Sequence, residues 1–480
     1  MRGAKAHIIE STLQASAGRV LTMHRTRDQL LQQLRNLATH RQPFLFHTGS
    51  KETSSQMAPA NLARMVRRWW PDARVLEMTS ATIREPNHAA AAAVEDPQRL
   101  LDFDVVLATP VLETGFSIED PHQHFAAVLG HTSGHTMPTA FVQSLGRLRS
   151  SVPRHVWCYH TGAKIGNGAP VASELERSKL KHADAIVHLV DAGEATGDAG
   201  RFVRWWSELA ADQNWLASSY RDAVAVLLER EGYVVQRLDQ QAADKCTELV
   251  KLLDEDRDAS VAEDTAAVAA APAPDADQLD LVESRQRLTA DQRRQLERGR
   301  IERDLGIKAP TAKQVEASRN GAYVKALQHL LTIDASQRQR WQQETRAAMP
   351  ASVRNYAPDF AKAMAPATRG TLLSKMPWLI ELIDLAGTGK TVTMADFEQH
   401  HAKAKATANW RELLGFDPHS GTTRTFVANL LALLGFKLQR TSRRSGIERR
   451  YWHYEVADEL AVLDRQQVLQ HLACGHFLCK

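Results

Sequence analysis

The first third of the chain alternates short apolar runs with segments of helical periodicity. RDQLLQQLRNLA and ANLARMVRRWW place apolar residues three and four positions apart, as amphipathic helices do. The runs with the length and composition of buried strands are GRVLTMH, PFLFHTG, ARVLEMTS, DVVLATP and FAAVLGH. Alternation of this kind favours parallel strands joined by crossover helices. We therefore predict an α/β domain, a parallel sheet with flanking helices, over residues 1–165.

Helical periodicity dominates the middle of the chain. Within residues 166–253, FVRWWSELAADQNWLASSYRDAVAVLLEREGY predicts a helical domain, and its tryptophans are expected in a core rather than stacked on bases. Residues 254–283 are acidic, rich in Ala and Pro and poor in large apolar side chains, so we expect a linker there. Residues 284–371 return to a charge-laced helical pattern, which predicts a second helical region.

The C-terminal segment, residues 372–480, combines helices with a hairpin. NWRELLGF and TTRTFVANLLALLGF have helical spacing, whereas KLQRT and RRYWHYEV have the composition of strands and flank the basic loop SRRSGIE. Helices followed by a basic hairpin are typical of a winged helix-turn-helix, a DNA-binding architecture. We therefore predict a winged-helix-like domain in this segment.

The stretch GTGKT, which starts at Gly387, looks like the end of a phosphate-binding P-loop. The full pattern GxxxxGK[ST] would place its first glycine at position 384, which is Asp384. The preceding WLIELIDL also has helical spacing, whereas a P-loop follows a buried strand. We predict instead a turn between two helices, with Gly387 ending the first and Thr393 and Asp396 capping the next.

The composition is that of an ordinary globular protein, with 43% hydrophobic residues. A net charge of +4 means that any basic surface must be local. No run approaches the roughly 18 apolar residues of a membrane span, and the four cysteines do not make a disulfide framework. These features predict a cytoplasmic protein without a membrane partner.

Two segments of the predicted α/β domain carry candidate phosphate chemistry. DVVLATPVLETGFSIED, residues 104–120, is an apolar strand followed by a loop, and QSLGRLR, residues 143–149, comes some twenty residues later. Arginine is permanently charged and its fork matches phosphate oxygens, so Arg147 and Arg149 are candidates for contact with a phosphoanhydride. The alternative is an unrelated α/β domain with a chance Gly-Arg pair.

In this order and spacing the two segments resemble motifs V and VI of superfamily 2 helicases, and the earlier PFLFHTGSKETSSQMA resembles motif IV. The form QxxGRxR is similar to the variant in replication initiators of the herpesvirus origin-binding protein and cyanobacterial RepA types. The commoner family spacing would put the second arginine at position 150, which is Ser150. The resemblance implies a RecA-like helicase C-terminal domain.

The resemblance also implies roles for single residues of the α/β domain. Those assigned to catalysis, as arginine fingers and a nucleotide-sensing partner, are Arg147, Arg149 and Gln143. Those assigned to the nucleotide cofactor are Glu113, Gly115 and Gly146. Those assigned to contact with nucleic acid are Ser50, Lys51 and Thr109.

Helicases of this superfamily bind ATP and Mg²⁺ between two RecA-like domains, and the first domain carries the P-loop and an acidic metal motif. The residues before the motif IV match contain neither pattern. We therefore expect the C-terminal portion of an ATP-dependent helicase, which needs a P-loop domain or polypeptide as a partner. Without that partner the chain is not expected to hydrolyse ATP.

The predicted hairpin is a second candidate for nucleic-acid binding, because residues 437–450 carry six basic residues against one acid. The six are Lys437, Arg440, Arg443, Arg444, Arg449 and Arg450. Arg424 and Asn429, in the predicted recognition helix, are placed to reach base edges. The alternatives are a solvated hairpin and a protein-contact module.

Together these features predict a DNA-replication protein of a plasmid, phage or integrated element, with single-stranded DNA or an origin duplex as its partner. The rival reading is a non-catalytic DNA-binding replication or regulatory factor that keeps the motor fold as a scaffold. We assign no metal site, because the His and Cys residues of HLACGHFLC, starting at His471, are too closely spaced for a zinc finger.

Overall fold

The computed structural model describes residue 14 and residues 16–50, 52–112, 116–180, 199–238, 247–348, 358–406, 410–441 and 452–474. The chain forms two compact units. The first, here the α/β unit, comprises Met1–Pro170, Ala211–Asp264 and Ser284–Arg293. The second, here the helical unit, comprises Val171–Ala210, Thr265–Glu283 and Arg294–Lys480.

The α/β unit is built on a seven-stranded sheet, counted over its described residues, in which all neighbouring strands run parallel. Along the chain the strands are β1 (Val20–Met23), β2 (Phe44–Thr48), β3 (Val75–Met78), β4 (Val105–Ala108), β5 (Ala127–Thr132), β6 (Arg154–Cys158) and β7 (Val234–Arg237). Their order across the sheet is β3-β4-β2-β5-β6-β1-β7. The predicted α/β class is confirmed.

Helices cover both faces of this sheet. The longer helices up to residue 270 are α1 (Arg27–Thr39), α2 (Pro59–Trp69), α3 (Ala89–Glu95), α4 (Pro138–Leu145), α5 (Ala199–Ser218), α6 (Tyr220–Arg230) and α7 (Thr247–Ala270), and residues 172–180 are also helical. Helices α1 and α2 pack on one face, while α4 and α6 pack on the other. The central strands β2, β4 and β5 are therefore buried along their whole length.

The α/β unit continues beyond the predicted limit at residue 165. Strand β7 pairs in parallel with β1, and Tyr220 and Val224 of α6 are fully buried in the same core as Phe141. The strand sequence VVQR is short, and Val234 is half exposed because β7 is an edge strand. Such a strand has few apolar residues, which explains why the sequence of residues 166–253 predicts helices and no strand.

Residues 254–283, expected to form a linker, belong instead to helices α7 and α8 (Ala276–Ser284). Alanine and glutamate favour helix, and Leu249 and Leu253 of α7 are fully buried against α1 and α2. Asp256 is 3% exposed and accepts hydrogen bonds from Arg68, with a distance of 3.1 Å from Nε to Oδ2. Packing and ion pairing thus order a stretch whose composition alone suggested disorder.

The helical unit continues with α9 (Ala290–Leu305), α10 (Ala312–Arg319), α11 (Gly321–Ile333), α12 (Ala335–Ala347) and α13 (Pro358–Leu373). Helices α11 and α13 cross closely at Gly370, where a Cβ atom would lie 2.3 Å from the carbonyl oxygen of Thr332. Glycine is therefore required at this crossing. The many charged residues of α9 form ion pairs; for example, Arg300 Nε lies 2.8 Å from Glu283 Oε1.

The C-terminal part of the helical unit contains α14 (Pro377–Ile383), α15 (Glu398–Lys405), α16 (Trp410–Leu414), α17 (Thr423–Leu433), β8 (Phe436–Arg440), β9 (Tyr454–Asp458) and α18 (Arg465–Cys474). Strands β8 and β9 form the predicted antiparallel hairpin. Val392 forms an isolated antiparallel bridge to β9, since it exchanges two backbone hydrogen bonds of 2.9 Å with Tyr454.

GTGKT forms a turn between helical segments, as predicted. Gly387 and Gly389 have φ angles of 75° and 72°, in the left-handed region that favours glycine. Thr393 and Asp396 form the predicted capping box, which opens a short 3-10 turn before α15. The resemblance of GTGKT to a phosphate-binding loop is therefore limited to its sequence and does not extend to its structure.

The prediction that the three clustered tryptophans belong to a core is wrong for two of them. Trp205 and Trp215 of α5 are 55% and 68% exposed. Trp206 is half-buried, with the Lys179 ammonium 4.7 Å from its ring centroid. Helical spacing identifies a face of the helix but not whether another element covers it.

Among the described helices, none combines the length and apolar character that crossing a membrane requires.

Replacing Asp256 with Asn should destabilise the docking of α7, because the amide cannot match the charge of Arg68. Arg68 is partly exposed and can be solvated, so we expect a loss of about 1–2 kcal/mol. The control is D258N on the same helix, whose carboxylate is 69% exposed and pairs with Arg257. Amide hydrogen exchange of α7 measures both, and equal protection in the two variants would contradict the anchoring role.

Candidate functional site

The carboxyl ends of β2 and β5 form a topological switch point. The chain leaves β2 towards α2 on one face of the sheet, and leaves β5 towards α4 on the other face. In open parallel sheets such a crevice is the usual position of a ligand site. The Gly49 N–H donates to the His131 carbonyl oxygen at 3.0 Å, so the two strand ends stay close.

Ser50, a predicted nucleic-acid contact, follows directly at this crevice. Its side chain is half-exposed, and its backbone N–H donates to Thr48 Oγ1 at 3.4 Å. The neighbouring Lys51 lies outside the described residues. The structure thus places the motif IV match at the edge of the sheet where a ligand can reach it.

His47 lies just below the crevice, on β2. It is 3% exposed, and neither ring nitrogen has a hydrogen-bond partner among the described residues. Burial, reinforced by the positive charges of Arg147 and Arg154, lowers the His47 pKa to about 3. The imidazole is therefore neutral at physiological pH, so that it adds no positive charge beneath the crevice.

The two segments that resemble motifs V and VI lie side by side. The Ile118 N–H donates to the Arg147 carbonyl oxygen at 2.9 Å, and the Arg149 N–H donates to the Ile118 carbonyl oxygen at 3.0 Å. Ile118 and Leu148 thereby form an isolated parallel bridge. Tertiary structure therefore brings together two segments that are almost thirty residues apart in the chain.

The side chains of the two candidate arginines reinforce this pairing. Arg147 is half-buried, and its Nη1 donates to the Phe116 carbonyl oxygen at 3.2 Å. Arg149 is exposed, and its Nε donates to Ser117 Oγ at 3.0 Å. Both guanidinium groups are thus oriented by the motif V match, and Arg149 is the more accessible to a phosphate.

A buried arginine that the sequence analysis did not select holds the loop that carries these residues. Arg154 is fully buried and donates four hydrogen bonds to backbone carbonyl oxygens. Their acceptors and distances are Leu145 (3.1 Å), Val152 (2.7 Å), Leu148 (2.8 Å) and Ser150 (3.2 Å).

Arg154 also places positive charge at the C-terminus of α4, where the helix dipole favours a cation. Its guanidinium carbon lies 5.4 Å from the ring centroid of Tyr233, and burial lowers its pKa from the usual arginine value. The only sequence signal for this role was a charged residue at the start of an otherwise apolar strand.

Gln143 and Gly146 lie at the end of α4, in the same segment as the two arginines. Gln143 is exposed, and its carbonyl oxygen accepts from the Gly146 N–H at 3.1 Å. Gly146 has a φ of −84°, and a Cβ atom there would meet its nearest neighbour at an ordinary 3.5 Å. The fold itself therefore does not require glycine at this position.

Thr109, a predicted nucleic-acid contact, is buried. Its Oγ1 donates to the Met78 carbonyl oxygen at 3.2 Å, so the hydroxyl ties the end of β4 to β3. The side chain serves the sheet rather than presenting a surface, which corrects the prediction. Glu113 and Gly115, assigned to the cofactor, lie outside the described residues.

The second candidate interface lies on α17 and the hairpin. Arg424 is exposed in the first turn of α17, whereas Asn429 is half-buried. Lys437 and Arg440 are exposed on β8, and the Lys437 ammonium lies 3.8 Å from the Glu459 carboxylate. The remaining basic residues of the predicted set, Arg443, Arg444, Arg449 and Arg450, lie outside the described residues.

Two buried histidines hold the ends of α17. At its start, His401 lies 2.7 Å from the Pro418 carbonyl oxygen and 3.2 Å from Thr423 Oγ1. At its end, His329 Nδ1 lies 2.9 Å from the Leu433 carbonyl oxygen, and its Nε2 lies 3.1 Å from Arg369 Nη1. Since arginine can only donate, the His329 Nε2 accepts and Nδ1 carries the proton.

Burial lowers the pKa of His329 to about 4, so that this tautomer is kept at neutral pH. His471 of the C-terminal His/Cys stretch is used in a similar way, with Nε2 2.8 Å from the Arg303 carbonyl oxygen. Within the described part of the chain, no three His, Cys, Asp or Glu side chains form a group that could hold a metal ion.

Replacing Arg154 with Met should strongly destabilise the loop between α4 and β6, because four buried carbonyl oxygens lose their donor. We expect a loss of about 3 kcal/mol. The control is R74M, which removes an exposed arginine paired with Asp104 and should change stability far less, because solvent screens that pair. Thermal unfolding and amide exchange of residues 145–152 measure both, and similar losses would refute the anchoring role.

Comparison with known proteins gives a partial match to a relative of unknown activity. No family model matches the chain. The chain is 30% identical, over 318 residues, to an uncharacterized protein of Picosynechococcus sp. strain PCC 7002. The match covers 63% of this chain but 31% of that protein, so the chain spans about a third of its relative's length.

Proposed function

We propose that the chain is the DNA-engaging C-terminal portion of an ATP-dependent superfamily 2 helicase that acts in replication of a plasmid, phage or integrated element. The observation that carries the proposal is the backbone pairing of Ile118 with residues 147–149. It joins the segments that resemble motifs V and VI, which in such helicases work together. The parallel sheet supports a RecA-like fold for this unit.

The chemistry of the proposed site depends on charge. Phosphoryl transfer spreads negative charge over the phosphate oxygens, and a positioned arginine stabilises that charge. Arg149 is exposed, and its orientation is set by the bond to Ser117. ATP, Mg²⁺ and the P-loop that holds them would come from a partner domain or polypeptide. Arg147 and Arg149 would then complete a site shared by the two.

The hairpin end of the helical unit supports a winged-helix assignment. The order α14, the bridge residue Val392, α15, α17 and the hairpin β8–β9 is similar to that of a winged helix. The exposed face of α17 carries Arg424 together with small residues such as Ala432, which lets a helix approach a groove closely. We propose that this module binds duplex DNA, such as an origin.

A non-catalytic DNA-binding replication or regulatory factor is the second proposal. It is favoured by the bonds that Arg147 and Arg149 already make to Phe116 and Ser117. Arginine side chains that hydrogen-bond to a neighbouring segment of the same unit can have a purely structural role, so they are equally compatible with a scaffold. The buried hydroxyl of Thr109 favours the same reading.

ATP hydrolysis distinguishes the two proposals. The purified chain alone should show no DNA-stimulated ATPase activity, and activity should appear when a P-loop polypeptide from the same replicon is added. In that mixture R149A should lower kcat by about 10³-fold, as loss of an arginine finger does. The control R99A removes an exposed arginine near Asp96 and should leave kcat unchanged.

Activity of the chain alone would contradict the need for a partner. No activity in any mixture, with DNA binding intact, would establish the binding factor instead. An R149A mixture as active as the R99A mixture would remove Arg149 from the catalytic role.

Duplex binding tests the winged-helix proposal. Reversing two charges in the sequence between β8 and β9, R443E with R444E, should weaken duplex binding several-fold and flatten its salt dependence, because fewer counterions are released. The control is K308E with K375E, two exposed lysines of the helical unit outside the hairpin. Fluorescence anisotropy over a range of salt concentrations measures both, and equal affinity in the two variants would contradict the proposed role.

A further inference from the structure

A groove of about 920 Å³ opens in the helical unit between α15, the start of α17 and the hairpin β8–β9. This volume lies in the range of pockets that enclose a small ligand. Its wall contains the cationic side chains of Lys405, Arg424 and Arg440, against the one acidic residue Glu398. All three cationic residues are exposed, so the groove attracts an anion.

Two aromatic rings in the wall lie beneath the guanidinium planes. The guanidinium carbon of Arg440 lies 5.0 Å from the ring centroid of Trp452, and that of Arg424 lies 5.7 Å from the ring centroid of Tyr454. A ring in this position limits the motion of the guanidinium and adds cation–π attraction. The groove therefore contains two oriented planar cations rather than two mobile point charges.

The start of α17 supplies a third feature of the same groove. Gly421, Thr422 and Thr423 line it, and Thr422 Oγ1 accepts from the Thr425 N–H at 3.3 Å. The N-terminal turn of a helix favours a phosphate through its N–H groups and its dipole. Arg424 lies in this turn, so the phosphate-binding features and one planar cation coincide.

We propose that this groove binds a nucleotide, and that in the protein it takes an unpaired nucleotide of a DNA strand. The phosphate is held by Lys405 and the start of α17, while the base stacks on the guanidinium planes of Arg424 and Arg440. The inference rests on the proposed DNA-binding function and names its substrate more closely.

The guanidinium groups of Arg424 and Arg440 favour an unpaired base over a duplex. In a duplex the bases are stacked on one another and present only their edges, whereas an unpaired base offers its face to a guanidinium or a ring. The groove therefore fits a single strand, at a fork or an opened origin.

The test uses a variant that keeps the two positive charges and removes the planar guanidinium groups. The double change R424K with R440K retains two cations but loses the stacking surface. Single-stranded DNA binding by the full chain, measured with a labelled oligothymidylate, should weaken about tenfold with an unchanged salt slope. Affinity for a duplex of arbitrary sequence should fall less than single-stranded affinity, because the two lysines keep the charges that make sequence-independent phosphate contacts.

K375Q serves as the control. Lys375 is an exposed lysine of the helical unit that does not line the groove. It should leave single-stranded DNA binding unchanged. In contrast, K405Q should lower the salt slope for single-stranded DNA by about 0.7, because one phosphate contact is lost.

Single-stranded DNA binding that is insensitive to R424K with R440K would overturn the inference, while intact duplex binding would leave the proposed function standing. Free dTMP that binds as tightly as the oligonucleotide would also overturn it, because the site would then belong to a free nucleotide. A chain that binds neither single-stranded nor duplex DNA would end both proposals.

Discussion

The buried guanidinium of Arg154 is the interaction on which the geometry of the α/β unit's candidate site depends. A charge inside a sheet protein costs free energy unless its hydrogen-bonding capacity is used, and here four carbonyl oxygens of residues 145–152 use it. Because these carbonyls end α4 and form the following loop, one side chain fixes both. The same loop carries Arg147 and Arg149, so the position of both candidate residues depends on the buried side chain of Arg154.

The sheet sets the second constraint. Parallel strands need crossover helices, and helices on both faces leave the carboxyl edge as the part of the sheet that is open to a ligand. Ser50 lies at that edge, whereas Thr109 is used to tie two strands together. Both residues were predicted to contact nucleic acid, but their hydroxyl groups differ in environment. The Thr109 hydroxyl is buried in a hydrogen bond within the sheet, whereas the Ser50 side chain is half-exposed.

In the helical unit, hydrogen bonds from buried histidines have the corresponding role. His401 at the start of α17 and His329 at its end bond to main-chain carbonyls of other segments. Because His329 is kept neutral, it can both donate and accept. The start and the end of α17 are thus held against α15 and α11.

The strand and helix pattern of the first third of the chain followed from the sequence, because residues at β2, β4 and β5 are apolar on both faces and α1 and α2 are strongly amphipathic. The turn at GTGKT and the hairpin β8–β9 also followed, because glycine, capping residues and strand composition act locally. These features depend on neighbours within a few residues.

Features that depend on distant partners were decided by tertiary structure. The edge strand β7 is stabilised by β1 rather than by its own apolar content, and acidic α7 is ordered by Arg68 and by the core of the α/β unit. The role of Arg154 is equally invisible in the sequence, since its four acceptors are backbone atoms. Burial and pairing across the fold, not local propensity, decide where such residues act.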